Sequence, residues 1–81
     1  MSKEEIYERL NNVFRDVFDD ESIIVSESTT ADDIEDWDSL EHIKLVVAVE
    51  NEFGMKFNMN EVTTMKNVGD MVNIIAERGT K

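Results

Sequence analysis

Residues 37–54 read WDSLEHIKLVVAVENEFG, and this stretch predicts the most apolar helix of the chain. Asp38 is a favourable N-cap residue, and Glu41 stands three positions later, where a capping box places an acid. Gly54 follows Phe53 and supplies a common C-terminal stop. We therefore expect a second helix that starts at Asp38 and runs to Phe53, with Ser39 in its first turn.

The predicted second helix has two apolar faces. At about 100° per residue, one arc holds the apolar residues Leu45, Val46, Val49 and Phe53, with His42 inside it. The nearly opposite arc holds Leu40, Ile43 and Val47. A helix with one face in the core and one face offered to a partner explains this pattern. The alternative is that the preceding loop folds over the second face.

The rest of the chain predicts further helices and no long strand. Helical spacing marks a first helix through Ile6, Leu10, Val13, Phe14 and Val17, capped by Ser2 with Glu5 in a capping box. A shorter helix is expected from Asn60 to Thr64. Asn67 then caps a last helix whose core face consists of Val68, Met71, Val72 and Ile75. We predict an all-α fold, a small four-helix bundle of three main helices and one short helix.

Residues 19–37 fit neither the helical nor the strand period, and they predict a long loop between the first two helices. Loops of this length in small domains are usually functional or disordered. We expect an ordered loop, because several apolar side chains can anchor it to the core. These anchors are Ile23, Ile24, Val25, Ile34 and Trp37.

The acidic charge of the chain is concentrated in the segment that leads to Ser39. The formal net charge is −11, and no Lys or Arg occurs between Arg15 and Lys44. Eleven acids lie in that interval, whereas the other eight acids balance all eight bases. This field repels nucleic acid and anionic membranes and favours partners with basic surfaces. Weak divalent binding is expected, but the spacing of an EF-hand is absent, so no dedicated metal site is predicted.

Length and composition fit one domain that spans residues 1–81. A chain of this size can build a single core, and its hydrophobic fraction of 41% is sufficient for one. The absence of cysteine excludes disulfides and thiolate metal sites. No apolar run reaches the length of a membrane span, and the N-terminal residues lack the core of a signal peptide. We therefore expect a monomeric, cytoplasmic protein.

Ser39 is the candidate for chemistry. The first turn of a helix has free backbone N–H groups and a favourable dipole for an anion, so a phosphate esterified to this hydroxyl would be well placed. An isolated serine at such a position is usually just part of the helix cap. Here the acidic loop and the second apolar face favour a functional role. Catalysis by Ser39 is not expected, because the only histidine, His42, points about 60° away around the helix axis.

Three stretches of the sequence resemble acyl carrier proteins, and the resemblance covers nearly the whole chain. WDSL at 37–40 resembles the attachment motif, LVVAVENEFG at 45–54 the second helix, and NVGD at 67–70 the start of the fourth. The resemblance implies that Ser39 carries 4′-phosphopantetheine, transferred from coenzyme A by a phosphopantetheinyl transferase (holo-acyl-carrier-protein synthase). The thiol of this group then holds acyl groups as thioesters. They are presented to fatty-acid, polyketide or related lipid biosynthetic enzymes, and the carrier itself is not an enzyme.

The resemblance also implies roles for residues around Ser39. Asp38 is the acidic neighbour for the transferase and its metal. His42 lies near the mouth through which an acyl chain can enter the bundle. The partner-binding surface is an apolar patch with an acidic fringe, made up of Leu40, Ile43 and Val47 with Glu41 and Glu50.

Some residues depart from the family pattern and leave the pathway open. Lys44 and Asn51 stand where fatty-acid carriers usually have Glu, and Trp37 replaces a small residue. A carrier for a specialised lipid, polyketide or lipopolysaccharide product fits as well as a housekeeping one. Two other functions also remain: an unmodified helical adaptor that binds through Leu40, Ile43 and Val47, and a small acidic cation-binding protein.

Overall fold

The computed structural model describes residues 1–80, and this part of the chain forms four α-helices without a strand. The helices are α1 (Lys3–Phe18), α2 (Ser39–Phe53), α3 (Met59–Thr64) and α4 (Val68–Arg78). One turn of 3₁₀ helix, Ala31–Asp33, interrupts the loop between α1 and α2. The predicted all-α bundle of three main helices and one short helix is therefore confirmed.

Polar side chains begin the helices at the predicted places. The Ser2 hydroxyl accepts a hydrogen bond from the Glu5 N–H at the start of α1 (3.2 Å). At the start of α4, the Asn67 side-chain oxygen accepts one from the Asp70 N–H (2.9 Å). The α3 helix begins at Met59, one residue earlier than expected, because Asn58 and Glu61 form a complete capping box there. At α2, Gly54 ends the helix in the left-handed conformation with φ of 61°, which glycine adopts without strain.

The core lies where the apolar faces of the three main helices meet. The α1 helix packs against both α2 and α4. The predicted core residues of α1 are buried except Val17, which is only half-buried. Phe18, which was not among the predicted residues, is buried as well. The predicted core residues of α2 and α4 are all buried: Leu45, Val46, Val49, Phe53, Val68, Met71, Val72 and Ile75. Helical periodicity therefore located most of the core.

The loop that precedes α2 is ordered and contacts the core through four of its five predicted anchors. Val25 is buried, and Ile23, Ile34 and Trp37 pack against the core. The prediction for Ile24 is wrong, because this side chain is 77% exposed. Successive side chains in an extended segment point to opposite sides, so burial of residues 23 and 25 turns residue 24 outward.

Hydrogen bonds hold this loop on α1 and α4. Asn11 of α1 accepts the Val25 N–H (2.7 Å), and the Gly69 N–H of α4 donates to the Glu27 carbonyl (2.9 Å). A Cβ atom at Gly69 would lie 2.9 Å from that carbonyl oxygen, so the close approach requires glycine. The alternative in which the loop covers the second face of α2 is wrong, because that face remains exposed.

Candidate functional site

Ser39 is the first residue of α2, and it is exposed. The N-cap Asp38 fixes this turn, since its carboxylate accepts the Glu41 N–H (2.8 Å) and its carbonyl accepts the His42 N–H (2.9 Å). The Glu41 carboxylate contacts Lys44 (3.3 Å), and no reciprocal capping box forms at α2. The serine hydroxyl therefore stands on a fixed helix N-terminus, where the dipole favours an anion.

A surface pocket of about 510 Å³ lies beside Ser39. One wall comes from the start of α2, with Asp38, His42 and Ile43. The other walls come from the loop, from α3 and from the segment that leads into α4: Ala31, Trp37, Val62, Thr63, Met65, Lys66, Asn67 and Met71. Polar and apolar side chains thus surround a space that a group attached to Ser39 can enter.

His42 lies at this pocket, between Trp37 and α3. The Trp37 Nε1–H donates to His42 Nδ1 (3.1 Å), and His42 Nε2 lies 3.1 Å from the Val62 carbonyl oxygen. Because the indole N–H can only donate, Nδ1 is the acceptor, and the neutral ring carries its proton on Nε2 and donates it to Val62. The rings of Trp37 and His42 stack with centroids 5.9 Å apart. Both nitrogens of His42 are therefore engaged away from Ser39.

Trp37 is a member of this site that sequence reasoning treated only as a loop anchor. Its ring meets Phe14 edge-on at 5.3 Å between centroids, and Phe18 lies at 6.2 Å. The departure of Trp37 from the family pattern was the available signal. Its bond to His42, five residues later, could have been suspected from the spacing but not established.

The α3 wall of the pocket is held by polar contacts. No residue of α3 is buried, although Val62 packs against the core. The Glu61 carboxylate accepts the Asn58 N–H (2.9 Å) and two hydrogen bonds from the Arg78 guanidinium at the end of α4. These hydrogen bonds lower the pKa of Glu61, and the contribution of Arg78 is larger than that of the Asn58 N–H. An ionised Glu61 therefore joins α3 to α4.

The second apolar face of α2 is exposed, as predicted. Leu40, Ile43 and Val47 are 66%, 55% and 51% exposed. Ile43 also lines the pocket, so this apolar patch reaches the space beside Ser39. A partner that covers the patch would thus approach the first turn of α2 and Ser39 at the same time.

The structure brings only one of the two predicted fringe acids to this patch. Glu41 lies beside Leu40 in the first turn. Glu50 is 12% exposed, accepts the Phe57 N–H (2.7 Å) and lies 3.9 Å from the Lys56 ammonium. Glu50 therefore holds the connection between α2 and α3, and its carboxylate is not presented beside the patch.

The acids of the segment before α2 remain mostly without ion pairs within residues 1–80. Of the eleven acids between Arg15 and Lys44, Glu41 alone pairs with a base in this range. Hydrogen bonds from Ser22 lower the pKa of Asp20. In the described part of the chain, no three acids or histidines are gathered in a way that could hold a metal ion.

Comparison with known proteins supplies an independent result. The family described as "Phosphopantetheine attachment site" matches residues 8–75. No helix within residues 1–80 has the length and apolar character needed to cross a membrane.

Relatives and a solved structure match over most of their lengths. An acyl carrier protein of Petrotoga mobilis is 33% identical over 96% of this chain and 92% of its own. An acyl carrier protein of Acidothermus cellulolyticus is 39% identical over 94% of this chain and 90% of its own length. The solution structure of a holo acyl carrier protein from Geobacter metallireducens superimposes with a TM-score of 0.83. Its identity is 40%, and the match covers 89% of this chain and 83% of that one.

Proposed function

Because this chain belongs to the acyl carrier protein family, we propose that Ser39 is the residue to which its 4′-phosphopantetheine group is attached. The protein is an acyl carrier, and it holds acyl groups as thioesters of that prosthetic group. The observation that carries the assignment is the position of Ser39, exposed in the first turn of α2 and beside a pocket.

The surroundings of Ser39 fit the group. Its phosphodiester would lie at the N-terminus of α2, where free N–H groups and the helix dipole favour negative charge. The pocket offers apolar contact through Ile43 and Val62 and polar contact through Thr63 and Asn67. When bound, the prosthetic group supplies a thiol for thioester formation, which explains how a chain without cysteine performs this role.

In the attachment reaction, the Ser39 hydroxyl oxygen bonds to the phosphorus that bears the pantetheine arm of coenzyme A. The pyrophosphate bond breaks, adenosine 3′,5′-bisphosphate leaves, and the hydroxyl proton passes to a base of the transferase. Both nitrogens of His42 are in hydrogen bonds, which supports a carrier that leaves this catalysis to the other enzyme.

A transferase assay tests the assignment. Incubation with coenzyme A, Mg²⁺ and a broad-specificity phosphopantetheinyl transferase should add one phosphopantetheine group, measured by intact mass. Ser39→Ala should abolish the addition with little loss of stability, about 1 kcal/mol at most. Ser28→Ala, which removes an exposed serine of the acidic loop, should be modified like the wild type. Addition to the Ser39→Ala variant would refute the assignment.

We assign Asp38 a second role as the acidic neighbour that the transferase and its metal recognise. Asp38→Asn separates this role from helix capping, because Asn caps a helix about as well as Asp does. This variant should unfold at nearly the same urea concentration as the wild type while its modification slows. Equal modification rates would show that the charge of Asp38 is not recognised.

The partner surface we propose is the patch of Leu40, Ile43 and Val47 with Glu41 at its edge. The partners are the transferase and enzymes that build or transfer acyl chains, with basic surfaces that the net charge of −11 would attract. A carrier visits several enzymes in turn, so weak docking on a small apolar centre suits it. The structure gives no reason to include Glu50, whose carboxylate accepts a backbone N–H.

We further propose a single acyl carrier domain over residues 1–81 that acts as a monomer and binds neither nucleic acid nor membranes. The negative charge supports the last two points, since both surfaces would repel it. Cytoplasmic localisation stays a prediction from composition.

A further inference from the structure

We propose that Trp37, His42 and the Val62 carbonyl form a closed latch between Ser39 and the core, so that this carrier holds short acyl groups in the surface pocket. The inference rests on attachment of the prosthetic group at Ser39. It concerns the class of cargo, which membership of the family leaves undetermined.

The latch lies between the pocket and the interior. Trp37 lines the pocket, and its ring also contacts the core residue Phe14 edge-on (5.3 Å between centroids). An alkyl chain that enters the core beside Trp37 must displace this ring. The route between α2 and α3 is spanned by the hydrogen bond from His42 to Val62 (3.1 Å). Three segments that would have to separate, the loop, α2 and α3, are therefore joined at one point.

The core behind the latch is filled by large side chains. Phe14, Phe53, Leu45 and Leu10 are each fully buried, and none of them lines the pocket. The pocket outside the latch has a volume of about 510 Å³ and includes the polar residues Thr63, Lys66 and Asn67. A short acyl group at the end of the amide-rich pantetheine arm suits this mixed lining. A long alkyl chain would remain partly in water.

A chain-length series tests the inference on the modified protein. The transferase would load Ser39 from acetyl-, butanoyl-, octanoyl- and decanoyl-coenzyme A. Cleavage of each thioester by hydroxylamine reports whether the acyl group is sequestered. The chain has one tryptophan, so a single indole N–H signal in the NMR spectrum reports on the latch. For the wild type we expect acetyl and decanoyl cleavage rates within about twofold, because neither group is protected by burial. The indole signal should keep its position throughout.

Variants of the latch should admit the long chain. In Trp37→Ala and His42→Ala, decanoyl cleavage should become about tenfold slower than acetyl cleavage, as for a group that is buried most of the time. Val17→Ala is the matched control, since Val17 is half-buried and lines a different surface hollow with Val13 and Ala48. It should behave like the wild type. If Trp37→Ala does not fold, His42→Ala and the wild-type series still decide the question.

Several results would overturn the inference. Slow decanoyl cleavage and a shifted indole signal in the wild type would show that the latch opens for long chains, while the proposed attachment at Ser39 would stand. If decanoyl cleavage were as slow in Val17→Ala as in the latch variants, the long chain would be entering because any loss of core packing admits it, and not because the latch is open. Absence of protection in every variant would show that the latch is not what excludes the chain. Failure to load Ser39 at all would overturn both proposals.

Discussion

Val46 and Val47 are adjacent in α2, but one faces the core and the other faces solvent, so they allow a sharp test of the partner surface. Val46 is 6% exposed in the core, and Val47 is 51% exposed in the apolar patch. We compare Val46→Asp with Val47→Asp. The two changes introduce the same charge into the same helix one residue apart, so differences in helix propensity cannot separate them.

The expected losses of stability follow from burial. Val46→Asp loses about 1.5–3 kcal/mol of apolar burial, and it also places an unpaired carboxylate in the core. With total stabilities of about 5–15 kcal/mol for small proteins, this change should unfold much of the population in mild denaturant. Val47 is half exposed, so Val47→Asp should cost about 1 kcal/mol or less. Lys44, three residues earlier, offers the new carboxylate a favourable neighbour.

Val47→Asp should cost little stability, but we expect it to reduce recognition by the transferase strongly. A charge in the centre of the patch must be desolvated when an enzyme covers it, so the kcat/KM of the transferase should fall about tenfold or more, which corresponds to 1.4 kcal/mol or more. Urea unfolding followed by circular dichroism gives the stability, and the initial rate of phosphopantetheine addition gives the function. If Val47→Asp unfolds as readily as Val46→Asp, the patch belongs to the core. If it is stable and modified at the wild-type rate, the patch is not the docking surface of the transferase.

Two further predictions concern charge. Added salt or millimolar Mg²⁺ should raise the melting temperature by a few degrees, because most acids before α2 lack ion pairs within residues 1–80 and 1 kcal/mol corresponds to about 4–8 °C for a small domain. A melting temperature that ignores both would show that these acids do not repel one another appreciably. Glu61→Gln should destabilise the protein at neutral pH by removing the ionised partner of Arg78. The pKa of Glu61 is lowered from 4.5 in the folded state, so its contribution is present above that value and disappears as the pH falls through the folded-state pKa. The urea midpoints of wild type and Glu61→Gln should therefore differ at neutral pH and converge once the pH lies below the folded-state pKa of Glu61, whereas Glu8→Gln, an exposed change on α1, should match the wild type at neutral pH. A difference that persists in acid would mean that the side chain stabilises α3 by packing and not by charge.

Local sequence signals account for the helices, for the N-caps Ser2, Asp38 and Asn67, and for the two faces of α2. Each of these features depends on residues within about four positions of one another, as with Asp38 and Glu41 at the start of α2. The position of Ser39 in the first turn follows from the same local signals. The proposed attachment site could therefore be located without long-range information.

Contacts between residues far apart in the chain depend on how the helices and the loop pack. His42 contacts the Val62 carbonyl, which is 20 residues away in the chain. The exposure of Ile24, the hydrogen bond from the Phe57 N–H to Glu50 and the hydrogen bond from the Gly69 N–H to the loop also depend on how separate segments pack. Periodicity gives the direction of a side chain from its own helix or strand but not the partner that stands there. The carboxylate of Glu50, which is 12% exposed, accepts the Phe57 N–H, and the turn at Gly54 makes that approach possible.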